Sequence, residues 1–215
     1  MDTSINGVMA LAVEALLAAG LSDSLSDLTR LDHGRSGAET YLLEVGISHY
    51  VLRIQTSADQ DAEAARFVAA QRAASDVGVA PRLLASIESG RAVLSERVVD
   101  VSFLGAVHGP SGMAVLANLG EKLATLHAHS SPDIGSAKPP ILFIAAMMEK
   151  AAARWPLPSF IRKAQADFEK RNVDFPVNDF CHLDLNPSNI LFDGDSVWLG
   201  GVDKLAAASR PAIPV

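Results

Sequence analysis

Over residues 5–19 the apolar positions Ile5, Val8, Leu11, Ala15 and Leu16 fall near a 3.6-residue period, which predicts a helix with one buried face. The pattern then changes. Two short β-like runs, 41–45 and 49–54, are separated by a tight "GIS" turn and read as a hairpin whose first strand is entered through a Gly/Ser loop. Residues 59–76 are Ala-rich with acidic residues in the first turn, as a helix N-terminus prefers, and Gly78 and Pro81 end the pattern. Runs 82–87 and 92–99 read as two more strands around the turn "ESGR".

Near residue 105 the pattern shifts again. The stretch "GAVHGPSG" reads as a linker, after which Leu116, Leu119, Leu123 and Leu126 mark the buried face of a helix over about 114–129. Residues 130–140 read as a loop, and 141–154 and 158–172 as further helices. This order, strands with one helix, then helices, then a loop and a hairpin, predicts an α+β protein of two lobes, 1–104 and 105–215.

Composition narrows the picture only slightly. The chain has 215 residues, 49% of them apolar and 20% charged, within the ordinary globular range. A net charge of −7 argues against a nucleic-acid or anionic-membrane surface and is compatible with a small cationic substrate. The N-terminus has no leader pattern, and "ILFIAAMM" is too short for a membrane span of roughly 18 residues or more. A cytoplasmic protein is the expectation. Cys181 is alone, so no intramolecular disulfide and no Cys cluster is available; beside His182 on an extended strand it would face the opposite way, which favours a buried, inert thiol over a nucleophile.

The chemistry concentrates in "NDFCHLDLNPSNILF". Asp184, in a loop, can accept the proton of an attacking hydroxyl. Asn189, five residues on and at the start of the apolar run "ILF", can offer its side-chain oxygen to Mg²⁺. His182 is placed to brace the loop by bonding backbone. Asp, Asn, Pro and Ser also make ordinary turns, so the stretch alone leaves that alternative open. Phosphoryl transfer needs partners, because it works by positioning and charge neutralisation. Candidates are the loop "HGRSGAET" with Ser36 and Gly37 for phosphate contact, the cation Arg53 on a strand, and Glu63 on the next helix to pair with it.

Taken in order, these pieces resemble the aminoglycoside phosphotransferase and choline kinase family, small-molecule kinases of protein-kinase-like fold. The resemblance runs from about residue 28 to 199: "SGAETYLLEV" is similar to the family's phosphate loop, "YVLRI" to its cation-bearing strand and "EAARFVAAQRAASDVGVAPRLL" to its Glu helix and following turn. "LSERVV" is similar to the adenine hinge, "LGEKLATLHA" to the Leu-His helix, and "HLDLNPSNILFD" to the catalytic loop His-Gly-Asp-Leu-x-x-x-Asn. The resemblance implies ATP and Mg²⁺ as cofactors, a small hydroxyl-bearing substrate, Asp184 as base, Asn189 as metal ligand, and Arg53 on the α/β-phosphates held by Glu63. Glu96, Arg97 and Val98 would meet adenine through backbone groups, and His127 would be a core histidine.

Three departures stand out. Arg53 replaces the more common Lys, and Leu183 replaces the usual Gly. The second metal-binding Asp is expected at position 201, where the chain has Gly201; Asp203 is two residues late, a displacement of about 6.6 Å along a strand. A glycine bulge would be needed to bring Asp203 into place. "VDKLAA" is also what a run of cloning sites encodes, and "SRPAIPV" has no helical period, so the expectation is that native sequence stops near 199–201 and that the helical lobe is incomplete. The rival reading is an inactive nucleotide-binding pseudokinase or truncated fragment.

Overall fold

The computed structural model describes residues 4–31, 38–55, 61–129, 159–170, 179–202 and 205–208. It opens with helix α1 (Ile5–Ala18), capped by Ser4, whose hydroxyl accepts from the Gly7 N–H at 3.2 Å. Five strands follow, β1 (Leu25–Leu31), β2 (Ala38–Val45), β3 (Ser48–Gln55), β4 (Leu83–Ile87) and β5 (Ala92–Glu96), with helix α2 (Asp61–Asp76) between β3 and β4. They form one antiparallel sheet in the order β1-β2-β3-β5-β4. β1 was not anticipated from the sequence. Its burial repeats every third position, so "LSDLTRL" lacks the alternation by which a half-buried strand announces itself.

Alternation along β3 assigns its two faces. Leu52 and Ile54, both fully buried, pack with Val8, Leu11, Ala12, Ala15 and Leu16 of α1 and with Leu43 and Leu94 of the neighbouring strands. Arg53 lies between them in sequence and therefore on the opposite face, toward α2. Ile5 of α1 is exposed rather than buried, and Ala12 takes its place in the apolar stripe.

The second half is built from α3 (Phe103–Val107), α4 (Gly112–Ala128), α5 (Ser159–Lys170) and four three-residue strands: β6 (Asp179–Cys181), β7 (Ile190–Phe192), β8 (Val197–Leu199) and β9 (Ala206–Ala208). The expected linker at 105–112 is instead a short helix and a tight turn. Gly112 is required there, because a Cβ at this position would lie 2.0 Å from the Val107 carbonyl oxygen. In α4 the inward positions are Gly112, Val115 and Leu126, with Leu119 and Leu123 packed against the core; Leu116, expected inside, is exposed. His127 is half-buried. The expected helix over 141–154 and the loop over 130–140 lie outside the described residues.

One apolar cluster joins the two halves. Phe67 and Ala70 of α2 and Val93 of β5 share it with Phe103, Val115, Leu126, Phe180, Ile190, Val197 and Leu199. Hydrogen bonds to main-chain carbonyls reinforce the junction: Leu199 N–H donates to the Val79 carbonyl at 2.9 Å, and the Lys122 ammonium donates to the Gly78 carbonyl at 2.7 Å while lying 4.7 Å from the Trp198 ring centre. Val202 and residues 205–208 are part of this fold. Val202 and Leu205 are 2% and 1% exposed in the same cluster, and β9 pairs antiparallel with β6. The described residues after 201 thus pack with the rest of the fold. Two apolar side chains three residues apart find buried sites, and the main chain after them pairs with β6.

Candidate active site

Between β6 and β7 the chain makes the loop 182–189. Phe180 and Cys181 before it and Ile190 after it are buried, so both loop ends are anchored. His182, also buried, is the brace. The Gly200 carbonyl can only accept, so Nε2 carries the hydrogen and donates to it at 2.6 Å; Nδ1 then accepts a longer bond of 3.4 Å from the Asp184 N–H. The Asp184 bond is to backbone within the loop, where the sequence reading looked for His182's partner; the Gly200 bond ties the loop to the end of β8, which it did not anticipate. Cys181 is buried, as expected for an inert thiol.

Asp184 is exposed, and its carboxylate is held on both oxygens. Asn186 Nδ2 donates to Oδ1 at 3.1 Å, and Asn189 Nδ2 donates to Oδ2 at 3.0 Å and to the Asp184 carbonyl at 2.8 Å. That carbonyl only accepts, which fixes the nitrogen end of the Asn189 amide toward it and leaves Oδ1 without a partner among the described residues. An amide oxygen is a donor that fits a hard cation such as Mg²⁺, which takes oxygen ligands and is commonly held by one or two protein groups plus phosphate. No cluster of three or more His, Cys, Asp or Glu that could hold a metal exists among the described residues.

Gly201, at the position where a metal-binding Asp was expected, cannot carry a side chain in this conformation. Its φ is +64°, and an added Cβ would lie 2.5 Å from Asn189 Cγ, 2.6 Å from Nδ2 and 2.8 Å from Oδ1. The Asn189 amide fills the room that the missing Cβ leaves. Asp203 lies outside the described residues, between the buried Val202 and Leu205.

On the sheet, Arg53 stands opposite Thr40 and Val93, and its guanidinium carbon lies 4.1 Å above the ring centre of Phe67 in α2. Phe67 is one helical turn from position 63, which puts the backbone of the expected ion-pair partner on the same helical face. Sequence reasoning missed Phe67; its signal was an aromatic four residues after Glu63 on an otherwise Ala-rich helix. Ser36 and Gly37 lie outside the described residues.

The strand expected over 92–99 ends at Glu96. Glu96 donates its main-chain N–H to the Arg82 carbonyl at 2.9 Å, and its carboxylate takes two bonds from the Arg82 guanidinium, at 2.7 and 3.0 Å. Arg97 and Val98 follow outside any regular element, without a main-chain partner among the described residues. The chain is then fastened across to the hairpin. Asp100 Oδ1 accepts from Phe192 N–H at 3.0 Å, and Val101 N–H donates to the Phe192 carbonyl at 2.8 Å. Asp100 too was missed, since a lone Asp after an apolar run carries no sequence signal of so distant a partner.

A profile of the phosphotransferase enzyme family matches residues 27–202, most of the chain. The chain belongs to the phosphotransferase enzyme family. No protein of curated function matches this family member by sequence. Solved structures share its fold. A choline/ethanolamine kinase family protein from Mesorhizobium loti aligns with a TM-score of 0.66 at 18% identity, over 94% of this chain and 65% of its own. The macrolide 2′-phosphotransferase MphH from Brachybacterium faecium gives 0.68 at 16%, over 95% and 74%. A thermostable mutant of aminoglycoside phosphotransferase APH(4)-Ia, in ternary complex with AMP-PNP and hygromycin B, gives 0.59 at 21%, over 93% and 71%. The family member thus has the two-lobed, protein-kinase-like α+β fold expected from its sequence, and it spans just under two thirds of the choline/ethanolamine kinase family structure.

Proposed function

We propose that this chain is an ATP- and Mg²⁺-dependent phosphotransferase acting on a hydroxyl of a small molecule. The observation that carries the reading is the exposed Asp184 carboxylate, anchored between two buried strand ends and held on each oxygen by an amide. In the reaction the substrate hydroxyl oxygen attacks the γ-phosphorus and the bond from that phosphorus to the β–γ bridging oxygen breaks. ADP leaves, and Asp184 accepts the hydroxyl proton. Asp184 orients the hydroxyl through the same contact. Arg53, whose guanidinium lies over Phe67 on the face toward α2, would contact the α/β-phosphates, and Glu63 on that helix is its expected partner. Arg97 and Val98 offer main-chain groups to adenine, with Glu96 ending the strand before them.

The metal would be held by Asn189 Oδ1 and by Asp203; when bound it neutralises phosphate charge. Asp203 is favoured over position 201 for a physical reason. A side chain at 201 would collide with Asn189, so the second carboxylate is proposed at Asp203, two residues on. Residues 1–104 and 105–215 would then form the nucleotide-side and substrate-side lobes. The substrate is proposed from choline, ethanolamine, macrolides and aminoglycosides such as hygromycin B, a set that includes cations suited to the chain's negative charge. A cytoplasmic location goes with this reading; no helix among the described residues is long and apolar enough to cross a membrane.

The test is calorimetric titration with ATP, with and without Mg²⁺, followed by ADP release against that substrate panel. Mg²⁺-dependent binding with turnover of one acceptor is expected. Metal-indifferent binding without turnover would replace the proposal with a nucleotide-binding, catalytically silent protein.

A further inference from the structure

We propose that Asn186 is a positioning residue for Asp184, and that its direction is set by the cap it makes at the start of the short helical turn Pro187–Asn189. The argument begins with the amide's two ends. Asn186 caps that turn, and its side-chain oxygen accepts from the Ser188 N–H at 3.0 Å. A main-chain N–H can only donate, so the atom facing Ser188 must be the oxygen. The Ser188 hydroxyl bonds the same oxygen. With Oδ1 committed there, Nδ2 is turned toward Asp184, where it lies 3.1 Å from Oδ1 and 3.4 Å from the carbonyl.

The carboxylate is thereby gripped from two directions. Asn189 holds Oδ2 and Asn186 holds Oδ1, so rotation about the Cβ–Cγ bond of Asp184 would break one charge-assisted bond or both. Asn189 alone would fix the position of one oxygen and leave the plane of the carboxylate free. Adding Asn186 fixes the plane, and with it the lone pair on each oxygen that remains for an incoming hydroxyl. A base must meet its proton within hydrogen-bond reach and in a usable direction, and misplacement on the scale of 1 Å is costly.

Asn, Asp and Ser are nearly equivalent as helix caps, which separates this role from a structural one. Asn186→Ser and Asn186→Asp both keep an oxygen for the Ser188 N–H, yet neither has an NH₂ for Asp184, and Asp adds a like charge beside it. The inference rests on the phosphotransferase reading, so two measurements are made. In the first, kcat and KM for ATP are determined from ADP release, with the panel acceptor that gives most turnover, water included. The expected result is a kcat lowered about 10- to 100-fold in Asn186→Ser and further in Asn186→Asp, with KM for ATP and Tm close to those of the parent. Parental kcat in both variants would overturn the proposal. In the second, the side-chain amide signals of Asn186, assigned by their loss in Asn186→Ser, are followed by NMR in Asp184→Ala. They are expected to move, and unmoved signals would overturn the proposal whatever the activity. A parent chain that turns over no acceptor but whose Asn186 signals move would remove the enzymatic reading and leave the amide–carboxylate pairing standing.

Discussion

Arg53 and Asp184 are the two charged groups at the heart of the proposed site, and the molecule holds them by opposite means. Arg53 sits in a central strand with β2 on one side and β5 on the other. Its place is set by a register that many residue pairs share, and a one-residue slip would turn the fully buried Leu52 and Ile54 out to the opposite face. Asp184 has no ladder. Its carboxylate is placed by single bonds from Asn186 and Asn189, on a loop braced by one histidine. Regular structure thus places its charge redundantly, at the cost of requiring a whole apolar pattern to be right. The loop places its charge with few atoms, which makes it easy to disable without unfolding anything.

The largest effect that this contrast predicts is on rate. Asp184→Asn should lower turnover by about 10²- to 10⁴-fold while leaving ATP affinity within a few-fold and Tm nearly unchanged, because the residue is exposed. Steady-state kinetics beside calorimetry checks it; retained turnover would remove Asp184 from the base role. The matching disruption of the sheet should do the reverse. Leu52→Ala, at a fully buried position beside Arg53, should cost about 2–5 kcal/mol in chemical denaturation. The folded fraction should still turn over, since Leu52 faces α1 and not the site. A Leu52→Ala protein that is stable but inactive would mean that Arg53 depends on more than register.

Gly201 sharpens the comparison from the loop side. Gly201→Ala places a methyl group where the Asn189 amide now lies and imposes a left-handed backbone on alanine, a strain of about 1–3 kcal/mol. The methyl can be accommodated only if Asn189 gives way, and with it the bond to Asp184 Oδ2. Turnover should fall, and its dependence on Mg²⁺ concentration should move to higher values. Unchanged metal dependence with lowered stability would show that Gly201 serves the backbone alone.

The same division explains what could be read from the sequence. β2, β3, β4 and β5 announced themselves as short β-like runs bounded by turn residues, α1 through its helical period, and α2 through its alanines, acidic first turn and stop residues. The loop was legible through residue chemistry: His182, Asp184 and Asn189 lie in one hydrogen-bonded cluster, while the reach of His182 to the Gly200 carbonyl was not anticipated. Hidden from a linear reading were contacts whose partner is remote and whose own pattern is ordinary. Asp100 reaches Phe192, Phe67 lies beneath Arg53, and Asn118 accepts from the Val197 N–H at 2.7 Å. β1 and β9 were hidden for a related reason. A three-alanine strand or a strand of mixed polarity gains its identity from the neighbour it pairs with, β2 in one case and β6 in the other.

The smallest effect lies in the hairpin that carries β7 into β8, where a loop-type device supports regular structure. Asp193 Oδ1 accepts from the Ser196 N–H at 2.7 Å and the Asp195 N–H at 2.9 Å, and Oδ2 accepts from the Trp198 indole at 2.8 Å. The Ser196 bond above all, then those from Trp198 and Asp195, hold the carboxyl below its ordinary value against the opposing effect of burial. A carboxyl depressed in the folded state stabilises at pH above its unfolded value, and that contribution is lost as pH falls through the folded one. Asp193 is exposed, so solvent screens most of the effect. Asp193→Asn should therefore lower Tm at neutral pH by less than about 4 °C, and the two melting curves should converge below the ordinary carboxylate range. A difference that persists undiminished in acid would mean that Asp193 holds the turn by its shape and neutral hydrogen bonds, as the strands do, and not by its charge.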